Sequence, residues 1–152
     1  GDEAACPNDA YQTERTGHIL AAFQTETGSK FSVLTTHLDW PLPAQRQREQ
    51  LTALSAAVDK IEGPLIVAGD FNSTPWSYSL RGFAQENGLV RETVNLLTFP
   101  LRWYYLGDWR DTVPVLPLDH VFTRGGIVVH EIHAGRPTAS DHLPVVFSFS
   151  AP

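Results

Sequence analysis

An α+β sandwich, with helices laid on a mixed or mostly antiparallel sheet, is the fold this sequence of 152 residues predicts. Three observations point to it. Patterned segments run in the order β-β-α-β-α-β-β-β. The unbroken apolar run Pro64–Ala68 (PLIVA) has the character of a strand buried on both faces. A hydrophobic content of 42% and a charged content of 18% suit one domain with its own core, and exclude a disordered or collagen-like chain. No internal repeat, low-complexity tract or linker divides the sequence, so residues 1–152 read as a single domain.

Residues 1–16 read as a loose terminus, opening on the polar stretch Gly1–Asp9 with the lone cysteine, Cys6. One cysteine excludes a disulfide within the chain and any four-cysteine zinc scheme. Two strand-like runs follow, Gly17–Thr25 and Lys30–Leu38, and Glu26–Ser29 between them has hairpin-turn composition with Gly28 free to take positive φ. His37 therefore stands at the end of a strand that Pro41 and Pro43 stop. From Ala44 to Ile61, Leu51, Leu54, Val58 and Ile61 recur at helical spacing, with Arg46, Arg48, Glu49 and Lys60 on the opposite face. Gly63–Pro64 ends that helix. After Pro64–Ala68, Ser73 or Thr74 with Pro75 resembles a helix start, and a second helix is expected from about Trp76 to Glu86. Thr93–Val115 reads as irregular and aromatic; Leu116–Thr123, Gly126–His133 and Leu143–Ser150 complete the strands. If both helices cover one sheet face, the other face needs a cover too, because soluble monomers rarely leave more than a few hundred Å² of contiguous apolar surface open.

The charge balance, 11 − 17 = −6, argues against a protein that coats nucleic acid through general basicity. No apolar run approaches the roughly 20 residues of a membrane span. Chemistry instead collects at four strand ends: Thr36–His37–Leu38, Gly69–Asp70–Phe71–Asn72, Leu118–Asp119–His120 and Ser140–Asp141–His142. Asp119 inside an apolar strand is the most telling, since a buried carboxylate costs several kcal/mol unless paired or bound to a cation. Asp70 and Asn72, two apart, share a side if the strand continues through them. His120 points away from Asp119 and reads as structural, and His130 and His133 fall on opposite strand faces rather than forming a metal pair.

Taken together, GDFN, the D-H-V-F strand and the closing SDHLPV resemble the recurring motifs of the endonuclease/exonuclease/phosphatase superfamily, the DNase I-like metal-dependent phosphoesterases. The resemblance runs from about Lys30 to Phe149. It implies His142 as the general base that activates water, Asp119 as the carboxylate orienting it, and Asp70 with Asn72 as the pair that orients phosphate and water. It implies His37 as a phosphate contact, and Asp141 and Asp70 on the side of a Mg²⁺ or Mn²⁺ ion. The implied substrate is a phosphate ester of a nucleic acid, phospholipid or nucleotide. Within Thr98–Arg110, Arg102 and Trp103 lie where related enzymes read the substrate; the segment either stacks or clamps substrate or packs as a lid on the core. The four-layer αββα architecture of these enzymes has two halves, and the first carries the main glutamate metal ligand. Nothing in residues 1–30 resembles that half, so the chain looks like the second sheet-plus-helices half alone, expected to self-associate or to pair with the missing one. A similarity of the Trp40–Pro41 turn to bacterial members with membrane segments would put the full-length protein beside a membrane. The alternative is a catalytically incomplete fragment or pseudoenzyme acting as a binding or assembly module.

Overall fold

The computed structural model describes residues 17–152. The loose terminus expected over residues 1–16, Cys6 included, lies outside the described residues. Strands β1 (His18–Gln24) and β2 (Lys30–His37) form the expected hairpin, with Phe23 opposite Phe31 and His18 opposite Thr36. Its turn closes through Gly28, at φ 92°, whose N–H donates to Thr25 O at 2.9 Å.

Helix α1 (Ala44–Val58) buries Gln47, Gln50, Leu51, Leu54 and Val58. It stops three residues short of the expected Ile61 because the chain tightens there, with Lys60 N bonded to Ala57 O and Ile61 N to Val58 O. Ile61 nevertheless packs on the core. Strand β3 (Leu65–Asp70) then runs parallel to β2, and its Leu65, Ile66 and Val67 are fully or almost fully buried, as an unbroken apolar run requires. Helix α2 (Tyr78–Glu86) begins later than Ser73 or Thr74 would start it. Ser77 is the cap, accepting from Leu80 N, whereas the Ser73 hydroxyl is committed to the Gln47 Oε1 at 3.1 Å.

Strand β4 (Val90–Arg91) is short, and β5 (Arg102–Tyr105) with β6 (Asp108–Asp111) makes a hairpin inside the stretch expected to be irregular. Strands β7 (Asp119–Arg124), β8 (Val128–Ala134) and β9 (Val145–Ser150) match the remaining expectations. The main sheet has the order β1-β2-β3-β7-β4 and is mixed: β2 and β3 are parallel and its other pairs are antiparallel. One face packs on the helices through Leu34, Leu54, Val58, Val67, Phe83 and Phe122, among others. Burial of side chains like these is worth about 1.5–3 kcal/mol each.

The cover that the second face needs comes from within the described chain. That face is not bare, because the β8–β9 hairpin lies across it, packing Ile132, Val145, Phe147 and Phe149 on Phe31, Val33, Ile66 and Val121. The alternation of apolar residues along β9 makes it a one-sided strand able to cover a neighbour. Cover is incomplete toward β1, where Ile19 is 55% exposed and Phe23 39%. Arg124, at the end of β7, donates to the carbonyls of Val58, Ile61 and Asn87, satisfying the open ends of both helices. Among the described residues no helix is long and apolar enough to cross a membrane.

Candidate active site

Strand register assembles the site. The parallel pairing of β2 and β3 sets His37 beside Asp70, and the antiparallel pairing of β3 and β7 sets Asp70 opposite Asp119. Three strand ends therefore meet at one rim of the sheet. His142 comes to them from the loop between β8 and β9. Its backbone neighbours are tied to one segment: Leu101 N donates to Asp141 O at 2.7 Å and Leu143 N to Thr98 O at 2.8 Å. The ring of Phe99 packs on the imidazole with centroids 4.6 Å apart.

The imidazole Nδ1 of His142 lies 2.8 Å from Asp119 Oδ2, and its Nε2 lies 3.7 Å from Asp70 Oδ2. A carboxylate only accepts, so Nδ1 carries the hydrogen and the neutral ring keeps its lone pair on Nε2. The Asp119 hydrogen bond is the chief reason that His142 holds its proton more tightly than an ordinary histidine; burial opposes it, and the charges of Asp119, Asp70 and Asp141 add to it. Asp70 is pushed above the usual carboxylate range, first by burial and then by the charge of Asp119, against the lowering effects of the Asn72 N–H, His142 and His37. The exposed His37 reaches Asp70 Oδ2 with Nε2 at 3.5 Å.

Asn72 departs from the expected strand geometry. The strand ends at Asp70, and Asn72 sits at φ 45°, so the two side chains do not share a strand face. The turn is closed by Asn72 N donating to Asp70 Oδ1 at 2.8 Å, an Asx turn. Asn72 is 4% exposed; its Nδ2 donates to Leu38 O at 2.7 Å and lies 3.5 Å from His37 Nε2. Phe71, fully buried, anchors the loop by packing on Phe83 and Phe122.

These groups line a cleft of about 780 Å³ with Trp40, Leu42, Arg46, Phe99 and Asp141. Asp141 stands exposed on its rim. Donor atoms of Asp70, Asp119 and His142 lie within 4.8 Å of one another. Asp119 and Nδ1 are already occupied with each other, which leaves Asp70 as the inner carboxylate, with Asp141 at the rim. Burial and the neighbouring charge of Asp119 make the ionised form of Asp70 costly, and a divalent cation held by these oxygen donors would offset that cost. Arg102 is not among the cleft-lining residues; its guanidinium faces Asp111 at 3.5 Å in the β5–β6 hairpin. The side chain of Trp103 lies outside what the structure describes. The wall formed by Trp40 and Phe99, with ring centroids 5.6 Å apart, was not apparent in the sequence as a site feature; the Trp40–Pro41 pair soon after the histidine-ended strand was its only signal.

His120 points away from Asp119, as expected, toward the helix side, and is 1% exposed. Its Nε2 donates to Ser73 O at 2.8 Å, and its Nδ1 faces Thr93 Oγ1 at 3.2 Å. Burial lowers its pKa below 6.5. Between that lowered value and 6.5 the unfolded chain binds more protons than the folded one. The contribution to stability is therefore complete above 6.5 and is lost as pH falls toward the folded value. Urea midpoints at about pH 7.5 and about pH 5.5 should differ less in a His120→Asn variant than in wild type; an equal difference would assign the acid loss to other groups.

A sequence pattern for the Endonuclease/Exonuclease/phosphatase family matches residues 6–142. UPF0294 proteins of Vibrio campbellii and Vibrio vulnificus are 29% and 34% identical over 133 and 139 residues, covering 87% and 88% of this chain. The chain spans 44% of the length of each of them. An endonuclease/exonuclease/phosphatase family protein from Bacteroides thetaiotaomicron superposes with a TM-score of 0.65 at 18% identity, over 87% of this chain and 53% of that one. The human Nocturnin catalytic domain does so at 0.63 and 22%, over 90% and 53%. A mannosyl-6-phosphatase from Bacteroides thetaiotaomicron gives 0.64 and 18%, over 88% and 56%. The fold is DNase I-like, and the chain belongs to the endonuclease/exonuclease/phosphatase family.

Proposed function

We propose that this chain carries the water-activating residues of a divalent-metal-dependent phosphoester hydrolase. The observation behind this is the imidazole of His142, fixed through Nδ1 by Asp119 at 2.8 Å while Nε2 stands 3.7 Å from Asp70 beside an open cleft. Neutral His142 takes the proton of a water as its oxygen bonds to phosphorus in line with the leaving group, whose bond to phosphorus breaks. Asp119 holds the tautomer and steadies the imidazolium that results. Asp70 orients the water, and His37 and Asn72 donate to the non-bridging oxygens. Asp70 and Asp141 would hold Mg²⁺ or Mn²⁺ together with a glutamate from outside this chain. Such a cation, when bound, neutralises charge on the phosphoryl oxygens.

Pairing with a further segment or a second copy would complete the site and cover Ile19 and Phe23. The relatives' greater length supports the first of these. Chelator-stripped full-length protein should hydrolyse bis(p-nitrophenyl) phosphate at least about 100-fold more slowly than protein resupplied with Mg²⁺ or Mn²⁺, since the cation contributes several kcal/mol. Turnover indifferent to the chelator would remove the metal from the mechanism. No hydrolysis of any phosphoester would favour the binding-module alternative.

A further inference from the structure

We infer that Gln47 is a positioning residue, which sets the His37 and Asn72 loops in one fixed arrangement before the phosphate; this rests on the phosphoesterase function proposed above. Gln47 belongs to the core-facing stripe of α1, one turn before Leu51, and is 3% exposed. A leucine there would suit the helix pattern, and burying an amide without partners is costly. Every polar atom of this amide is used. Nε2 donates to Asp39 O at 2.8 Å, Phe71 O at 3.1 Å and Asn72 O at 3.2 Å, and Oε1 accepts from the Ser73 hydroxyl at 3.1 Å. Gln50, 7% exposed, holds the same residue from its other side by accepting from Asp39 N at 2.8 Å.

The bonds close a ring. Gln47 holds Asp39 and Asn72; Asn72 Nδ2 holds Leu38 O; Leu38 lies between His37 and Asp39. Asn72 needs such a frame, because its φ of 45° is a sparsely populated conformation. Gln47 itself is absent from the cleft lining, so it acts through the residues it holds.

Steady-state kinetics of full-length protein with Mg²⁺ and bis(p-nitrophenyl) phosphate test the assignment, well below each variant's Tm. Gln47→Met, which keeps length and burial without the amide, should lower kcat about 10–100-fold, with KM within about threefold of wild type. Gln50→Met should lower kcat in the same direction by less. Arg124→Ala, at the far end of β7, should lower Tm and leave kcat unchanged, separating loss of fold from loss of alignment. Wild-type kcat in Gln47→Met overturns the inference. If Gln47→Met does not fold, wild-type kcat in Gln50→Met does so in its place. A His142→Ala control distinguishes the two levels: full turnover there means the proposed chemistry has failed, whatever Gln47 does.

Discussion

Replacing His142 with alanine in the full-length protein should reduce kcat/KM for a phosphodiester by about 10²–10⁴-fold, the range a positioned general base contributes. Asp119→Asn should cost a comparable factor, because the amide no longer stabilises an imidazolium, and it should also change the pH profile. On the proposed mechanism the neutral form of His142 is the active one, so activity should decline as pH falls through its pKa. In wild type that acid limb should lie above the ordinary histidine value of 6.5, since the Asp119 hydrogen bond raises it. Without the carboxylate the limb should move to lower pH while the plateau drops. A plateau loss together with a downward shift identifies Asp119 as the orienting carboxylate. Undiminished turnover in either variant, or a limb that moves upward, would remove the pair from the chemistry.

Gly69→Ala should be the most damaging substitution in the sheet. Gly69 lies beside Thr36 in the parallel pairing of β2 and β3, at φ 153°, and an added Cβ would sit 1.9 Å from Thr36 O and 2.9 Å from Thr36 C. Those are backbone atoms of a central strand, with no flexible side chain to move aside. Relief requires separating the two strands that carry His37 and Asp70 at their ends. A loss of at least about 3 kcal/mol is expected, at the high end of single substitutions. That is a large share of a typical 5–15 kcal/mol, and it corresponds to a fall in Tm of about 6–12 °C. Thermal unfolding checks it. An unchanged Tm would mean that the strands do not pair in this register.

The parts legible in the sequence were those written in short-range pattern. The stripe of Leu51, Leu54 and Val58 and the run Leu65–Val67 identify their elements because burial depends on local periodicity. Motif spacing also placed His37, Asp70, Asp119 and His142; strand register brings the first three to one rim, and the β8–β9 loop brings His142 to them. What stayed hidden was set by distant partners. The β5–β6 hairpin escaped notice because Tyr104, Tyr105 and Trp109 are all exposed, so no inside-outside alternation marks it. The start of α2 was displaced because Ser73, a good cap in isolation, gives its hydroxyl to a helix 26 residues earlier. Gln47 and Gln50 fall on the buried stripe of α1, but amide side chains do not mark a buried face, and only backbone groups contributed by other loops make them interior ones. Likewise, the alternation in β9 says that one side is covered, but not that it covers the main sheet.

The two main-chain ties that flank His142 have an evolutionary corollary. Thr98 and Leu101 dock the loop that bears His142 before the chain departs into the β5–β6 excursion, and Thr112 N returns to Leu101 O at 2.9 Å when that excursion ends. Everything between is clamped shut at its root. Natural variation can therefore lengthen, shorten or recolour the apex around Leu106 and Gly107 while the imidazole keeps its place, allowing one fixed rim to be refitted for different cargo.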